Sequence, residues 1–88
     1  MQAGPEMRVT VRYFAAARAA AGAETETVAL HAGTTIAELI DALRARDSEL
    51  SRVLARCSFL RDGIAVRDME SALGDAQTVD VLPPFAGG

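Results

Sequence analysis

The sequence ends in Pro83-Pro84-Phe85-Ala86-Gly87-Gly88, and this is the stretch whose residue types suit a reaction. Proline has no N–H to continue a ladder, so the pair ends strand pairing and favours an extended, polyproline-like path. Phe85 and Ala86 carry apolar surface beyond it, and Phe85 is expected to seat in an apolar site on a partner. Gly87 and Gly88 have no side chains, so the end is thin and conformationally free. Stretched out, the six residues reach about 20 Å, a shape that suits a narrow active-site channel. The group on offer is the Gly88 carboxylate, which is a poor electrophile until one oxygen becomes a leaving group. Adenylation by ATP would give an acyl-phosphate anhydride open to attack by sulfur or an amine. A partner would have to supply the anion-binding site and metal for that step.

Little else in the chain competes for a chemical role. Cys57 continues the helical stripe Leu50, Val53, Leu54 and so lies on an apolar face, where a free cysteine acts as a small hydrophobe. Neither an activating base nor a helix start stands next to it in sequence. His31 is alone in a His31-Ala32-Gly33 turn and reads as a loop histidine. No glycine-rich phosphate loop precedes a helix, and no carboxylates pair at catalytic spacing. The chain itself is therefore expected to bind no metal and no cofactor. All nine basic residues are arginines. With no lysine to accept it, any amide-type linkage must go outward through the C-terminus.

Bulk properties narrow the setting. At 88 residues the chain is one domain at most. A net charge of −3 and the absence of basic runs interleaved with aromatics argue against nucleic acid. The single cysteine excludes an internal disulfide and fits a reducing compartment. No segment approaches the ~20 apolar residues of a membrane span, and the start lacks the blocks of a signal peptide. A cytoplasmic location is expected, with no membrane contact. Residues 1–6 read as a disordered lead-in, residues 7–82 as the domain and residues 83–88 as an extended tail.

The elements that must present the tail follow from periodicity. Met7 to Phe14 alternates as a strand, with Val9, Val11 and Tyr13 on one face. Arg12 and Phe14 fall on the other, where they are candidate contacts for a partner. Ala15 to Ala23 reads as a short helical turn, and Glu24 to Leu30 as a strand returning antiparallel. Thr35 and Glu38 have capping-box spacing ahead of an apolar stripe of Ile36, Leu39, Ile40 and Leu43. Asp47-Ser48 caps a shorter helix. Strands at 58–61 and 64–66 flank Asp62-Gly63, a hairpin signal. Leu73 is expected to dip into the core from an otherwise loop-like stretch. Thr78 to Leu82 is the last strand, with Val79 and Val81 alternating against Asp80. The expected class is α+β, a mixed sheet of about five strands packed on one main helix.

From about Met7 to Gly88 the sequence resembles the MoaD-type small subunits of molybdopterin synthase, within the ubiquitin-like β-grasp sulfur carriers (MoaD/ThiS). The resemblance rests on VTVRYFAAAR followed by AAG, on TTIAELIDAL, on the Asp-Gly hairpin and above all on VDVLPPFAGG. It implies that Gly88 is adenylated by an activating enzyme, using that enzyme's ATP, and converted to a thiocarboxylate with sulfur from a donor. Gly88 would then supply sulfur for the molybdopterin dithiolene, the active site lying mainly on the large (MoaE-type) subunit. Pro83, Pro84, Phe85, Ala86 and Gly87 would thread into that partner, in a heterotetramer of two small and two large subunits. Related carriers serve the thiamine thiazole or cysteine synthesis, and a ubiquitin-like module that only binds other proteins is a third reading.

Overall fold

The computed structural model describes residues 6–84. Strand β1 (Glu6–Tyr13) buries Met7, Val9, Val11 and Tyr13, as alternation requires. It begins one residue before the expected domain start, with Glu6 opposite His31. Helix α1 (Ala16–Ala21) ends on Gly22, whose φ of 74° is left-handed and whose N–H donates to the Arg18 carbonyl; glycine takes that conformation without a Cβ penalty. Strand β2 (Thr25–His31) returns antiparallel to β1. His31, expected in a turn, is the last residue of this strand.

Helix α2 (Ile36–Arg44) turns all four residues of its stripe, Ile36, Leu39, Ile40 and Leu43, into the core. Burying each such side chain stabilises by about 1.5–3 kcal/mol. A helix start leaves N–H groups without partners, and here each is met. The Thr35 N–H donates to Glu38 Oε1 at 2.9 Å and the Glu38 N–H to Thr35 Oγ1 at 3.1 Å. The Ile36 and Ala37 N–H groups donate to the Ser71 and Met69 carbonyls at 3.2 and 2.8 Å. The irregular 67–74 stretch is thereby clamped to the helix start, with Leu73 buried beneath it.

Helix α3 (Ser48–Leu54) begins at Asp47, whose carboxylate accepts the Leu50 N–H at 2.9 Å. Strands β3 (Ser58–Arg61) and β4 (Ile64–Ala65) are joined by Asp62 and Gly63 at φ 48° and 83°. Both angles are positive, as a type I′ turn demands. Strand β5 (Thr78–Leu82) completes a five-stranded sheet in the order β2-β1-β5-β3-β4. Only the central β1–β5 pair is parallel; the other pairs are antiparallel. Ala17 of α1 and Leu50 and Leu54 of α3 join the core beside α2 and the inward residues of the sheet. The opposite sheet face leaves Arg8, Arg12, Thr25, Thr27 and Ala29 exposed. The chain is therefore the expected α+β, β-grasp-like arrangement, with α1 and α3 extending the helical layer around α2.

Thr35→Ala removes the side-chain acceptor that caps the start of α2. It is expected to lower unfolding stability by about 1 kcal/mol, read as a lower urea midpoint at unchanged slope.

Candidate functional site

The root of the tail is built by β5. Val81 stands between Tyr13 of β1 and Phe59 of β3, and Leu82 stands opposite Ser58. The Phe14 N–H donates to the Val81 carbonyl at 3.2 Å. Because β1 and β5 run parallel, the end of one strand and the start of the tail share an edge of the sheet. Pro83 there is half-buried and Pro84 exposed. A groove of about 510 Å³ lies along the prolines, lined by Phe14, Ala15, Ser58 and Leu82. A second, of about 380 Å³, lies between the prolines and Arg52, Val53 and Arg56 of α3. The expected site residues Phe85, Ala86, Gly87 and Gly88 lie outside the described residues.

Two of the expected contacts, Arg12 and Phe14, come together beside this root. Arg12 Nε donates to Asp80 Oδ1 at 2.6 Å, and the second arm of its guanidinium donates to Oδ2 at 2.8 Å. The guanidinium carbon lies 5.6 Å from the centre of the Phe14 ring, within cation–π range. The hydrogen bond to Asp80, and then its charge, push the Arg12 pKa up. Asp80 is only 6% exposed, although alternation places it on the helix-free face. Sequence reasoning missed it, because an acid between two core valines reads as a solvent-facing residue. Only the register Arg12↔Asp80 reveals its partner. Ala15, next to Phe14, has φ 52° and ψ −126°, a region that strains a residue with a Cβ.

The remaining titratable groups hold the scaffold. The Tyr13 hydroxyl donates to Glu26 Oε2, and Arg46 donates to both Glu26 oxygens at 2.9 Å. Burial and then the bond to Glu26 push Tyr13 well above the usual phenol range. Burial alone would raise Glu26, but the bonds from Tyr13 and Arg46 outweigh it and hold the carboxyl below its ordinary value. Burial pushes the Cys57 thiol up, and its Sγ lies 3.3 Å from the Val53 carbonyl. A thiol held protonated is a weak nucleophile, in line with its structural role. Among the described residues no group of three His, Cys, Asp or Glu side chains comes together as a metal site. No helix among them is long and apolar enough to cross a membrane.

Comparison with known proteins bears on the tail as well as the fold. The model of the ThiS family matches residues 11–88. The chain is 32% identical over 83 residues to the molybdopterin synthase sulfur carrier subunit of Chlamydomonas reinhardtii, covering 93% of this chain and 100% of that protein. The solution structure of the Haloferax volcanii HVO 2177 protein superposes with a TM-score of 0.83 at 28% identity, over 94% of this chain and 88% of the other. A chain from the complex of subunits 1 and 2 of the Helicobacter pylori molybdopterin-converting factor shares the fold. It superposes with a TM-score of 0.65 at 24% identity, over 93% and 100% of the two chains.

The Glu26 network sets an acid limit on the fold. A carboxyl whose folded pKa is depressed adds stability above its ordinary value of 4.5 and loses it as pH falls through the folded value. Denaturation midpoints followed from neutral to acidic pH are expected to fall more steeply in the parent than in Glu26→Gln. Parallel curves for the two proteins would remove Glu26 as a source of the acid limit.

Proposed function

The chain belongs to the ThiS family, and we propose that it is a sulfur carrier serving as the small subunit of a molybdopterin synthase. The observation that carries this role is the match, over 93% of this chain, to a sulfur carrier subunit of that enzyme. The geometry supports it: the sheet anchors β5 through Leu82, and Pro83-Pro84 leave from the end of this interior strand. In this reading the chemistry belongs to the terminal carboxylate.

In this role an oxygen of the Gly88 carboxylate attacks the α-phosphorus of ATP on an activating enzyme, and pyrophosphate leaves. Sulfur from a donor then attacks the acyl carbon and AMP leaves, giving the thiocarboxylate. Inside the large subunit the thiocarboxylate sulfur attacks a carbon of a pterin precursor and displaces an oxygen leaving group. Water then hydrolyses the acyl–sulfur bond, leaving the sulfur on the pterin and returning an oxygen to Gly88. ATP belongs to the activating enzyme; this chain supplies the acyl group. Gly87 keeps the approach slim, and Pro83 to Ala86 span the channel. A structure of two converting-factor subunits in complex supports a large subunit as the resident partner, and a cytoplasmic assembly of two small and two large subunits completes the proposal.

Intact mass of the chain co-expressed with its activating enzyme is expected to rise by the difference between one sulfur and one oxygen. A mass that never changes would rule out carriage, whatever the product. Deleting Gly88 is expected to abolish sulfur transfer while the melting temperature stays the same. Co-purification with a large synthase subunit separates molybdopterin synthesis from the thiazole and cysteine alternatives. Phe85→Ala is expected to weaken that complex by about 2 kcal/mol or more without lowering the melting temperature. Equal affinity of both proteins would count against Phe85 as the anchor.

A further inference from the structure

We propose that Asp80 is a positioning residue: through the Arg12 fork it fixes the Phe14 ring at the root of the tail. The lip that a partner meets there is thus formed before the tail is taken. Both carboxylate oxygens of Asp80 are engaged by Arg12, at 2.6 and 2.8 Å. A planar guanidinium held at two points keeps one orientation, and that orientation puts its carbon 5.6 Å from the Phe14 ring centre. The Phe14 backbone is tied to Val81 by its N–H, so the residue is held at both the main chain and the ring. Phe14 is 39% exposed and lines the groove beside Leu82, Pro83 and Pro84.

Fold stability alone does not call for this pair. Asp80 is buried while the Arg12 side chain is 49% exposed, and an ion pair desolvated on one side is often matched by apolar residues of similar size. The neighbouring cross-strand row on the same face, Thr27, Thr10 and Thr78, is uncharged. What the pair adds is a cation at a set place over an exposed aromatic side chain, with Asp80 three residues before Pro83. Fixing a side chain in advance removes part of the ordering cost of association. An exposed cation–π contact corresponds to a roughly two- to fivefold bias toward the held conformation.

The first readout needs no partner and does not rest on the proposed function. The phenylalanines are replaced by 4-fluorophenylalanine, and the Phe14 fluorine resonance is assigned with Phe14→Leu. In Asp80→Asn that resonance is expected to move toward the solvent-exposed position while the Phe59 resonance stays. Arg12→Leu/Asp80→Leu removes the pair without stranding a buried charge, and is expected to give the same shift if Asp80→Asn folds poorly. A Phe14 resonance that stays in place in the folded variant overturns the proposal. The second readout rests on the sulfur-carrier role: ATP–pyrophosphate exchange by the activating enzyme, with the carrier as substrate. Asp80→Asn is expected to raise KM for the carrier roughly two- to fivefold at unchanged kcat, and to add nothing in a Phe14→Leu background. Effects that multiply, or a KM equal to that of the parent, would overturn it. A parent chain that supports no exchange would fail the carrier role, and the fluorine result would still decide the positioning role.

Discussion

The parallel ladder between β1 and β5 is the constraint on which the rest of the molecule depends. Thr10, Val11, Arg12 and Tyr13 stand beside Thr78, Val79, Asp80 and Val81, so two strands far apart in sequence occupy the centre of the sheet. A parallel pair needs a long crossover between its strands, and here residues 14–77 supply it. That crossover contains all three helices and the other three strands. β2 then adds to the free side of β1 and β3 to the free side of β5. With neighbours on both sides, the end of β5 is among the best-held backbone in the fold. A tail leaving from there starts at a defined point.

The two faces of this ladder carry different physics. On one, Val9, Val11, Val79 and Val81 are fully buried beneath α2, and dispersion and the hydrophobic effect dominate. On the other, Thr10, Arg12, Thr78 and Asp80 meet in register, and the interactions are hydrogen bonds and a forked ion pair. The network of Tyr13, Glu26 and Arg46 closes the β2 side of the core, tying β1 and β2 to the chain just after α2. An end of the core that would otherwise bury a phenol without a partner is satisfied by a carboxylate and a guanidinium. No buried side-chain polar atom among the described residues is left without a hydrogen bond.

This division suits the proposed role, in which the body serves to present the tail. The body needs to be stable, to lack competing nucleophiles and to release the tail at one edge. Cys57 is kept as a thiol by partial burial. The helical layer and the 67–74 clamp concentrate rigidity behind the sheet, and Phe14, Leu82 and the prolines gather at the edge where a partner would approach.

By itself the sequence determined most of the elements. Alternation in β1, the stripe and capping box of α2, the Asp62-Gly63 turn and the Pro83-Pro84 stop are local patterns. Each depends on residues within a few positions, so each was legible without neighbours. The expected place of Leu73 in the core was legible for the same reason, as the apolar residue in a polar stretch. The family model extends over the tail as well as the body. Only the tertiary structure decided which strands are neighbours and in what register. It thereby placed Asp80 against Arg12, and Arg12 against Phe14. It also extended His31 into β2 and packed the two shorter helices into the core beside α2. Those outcomes rest on pairings across dozens of residues. No periodicity within β5 distinguishes an aspartate that faces water from one that meets an arginine on a strand 68 residues away.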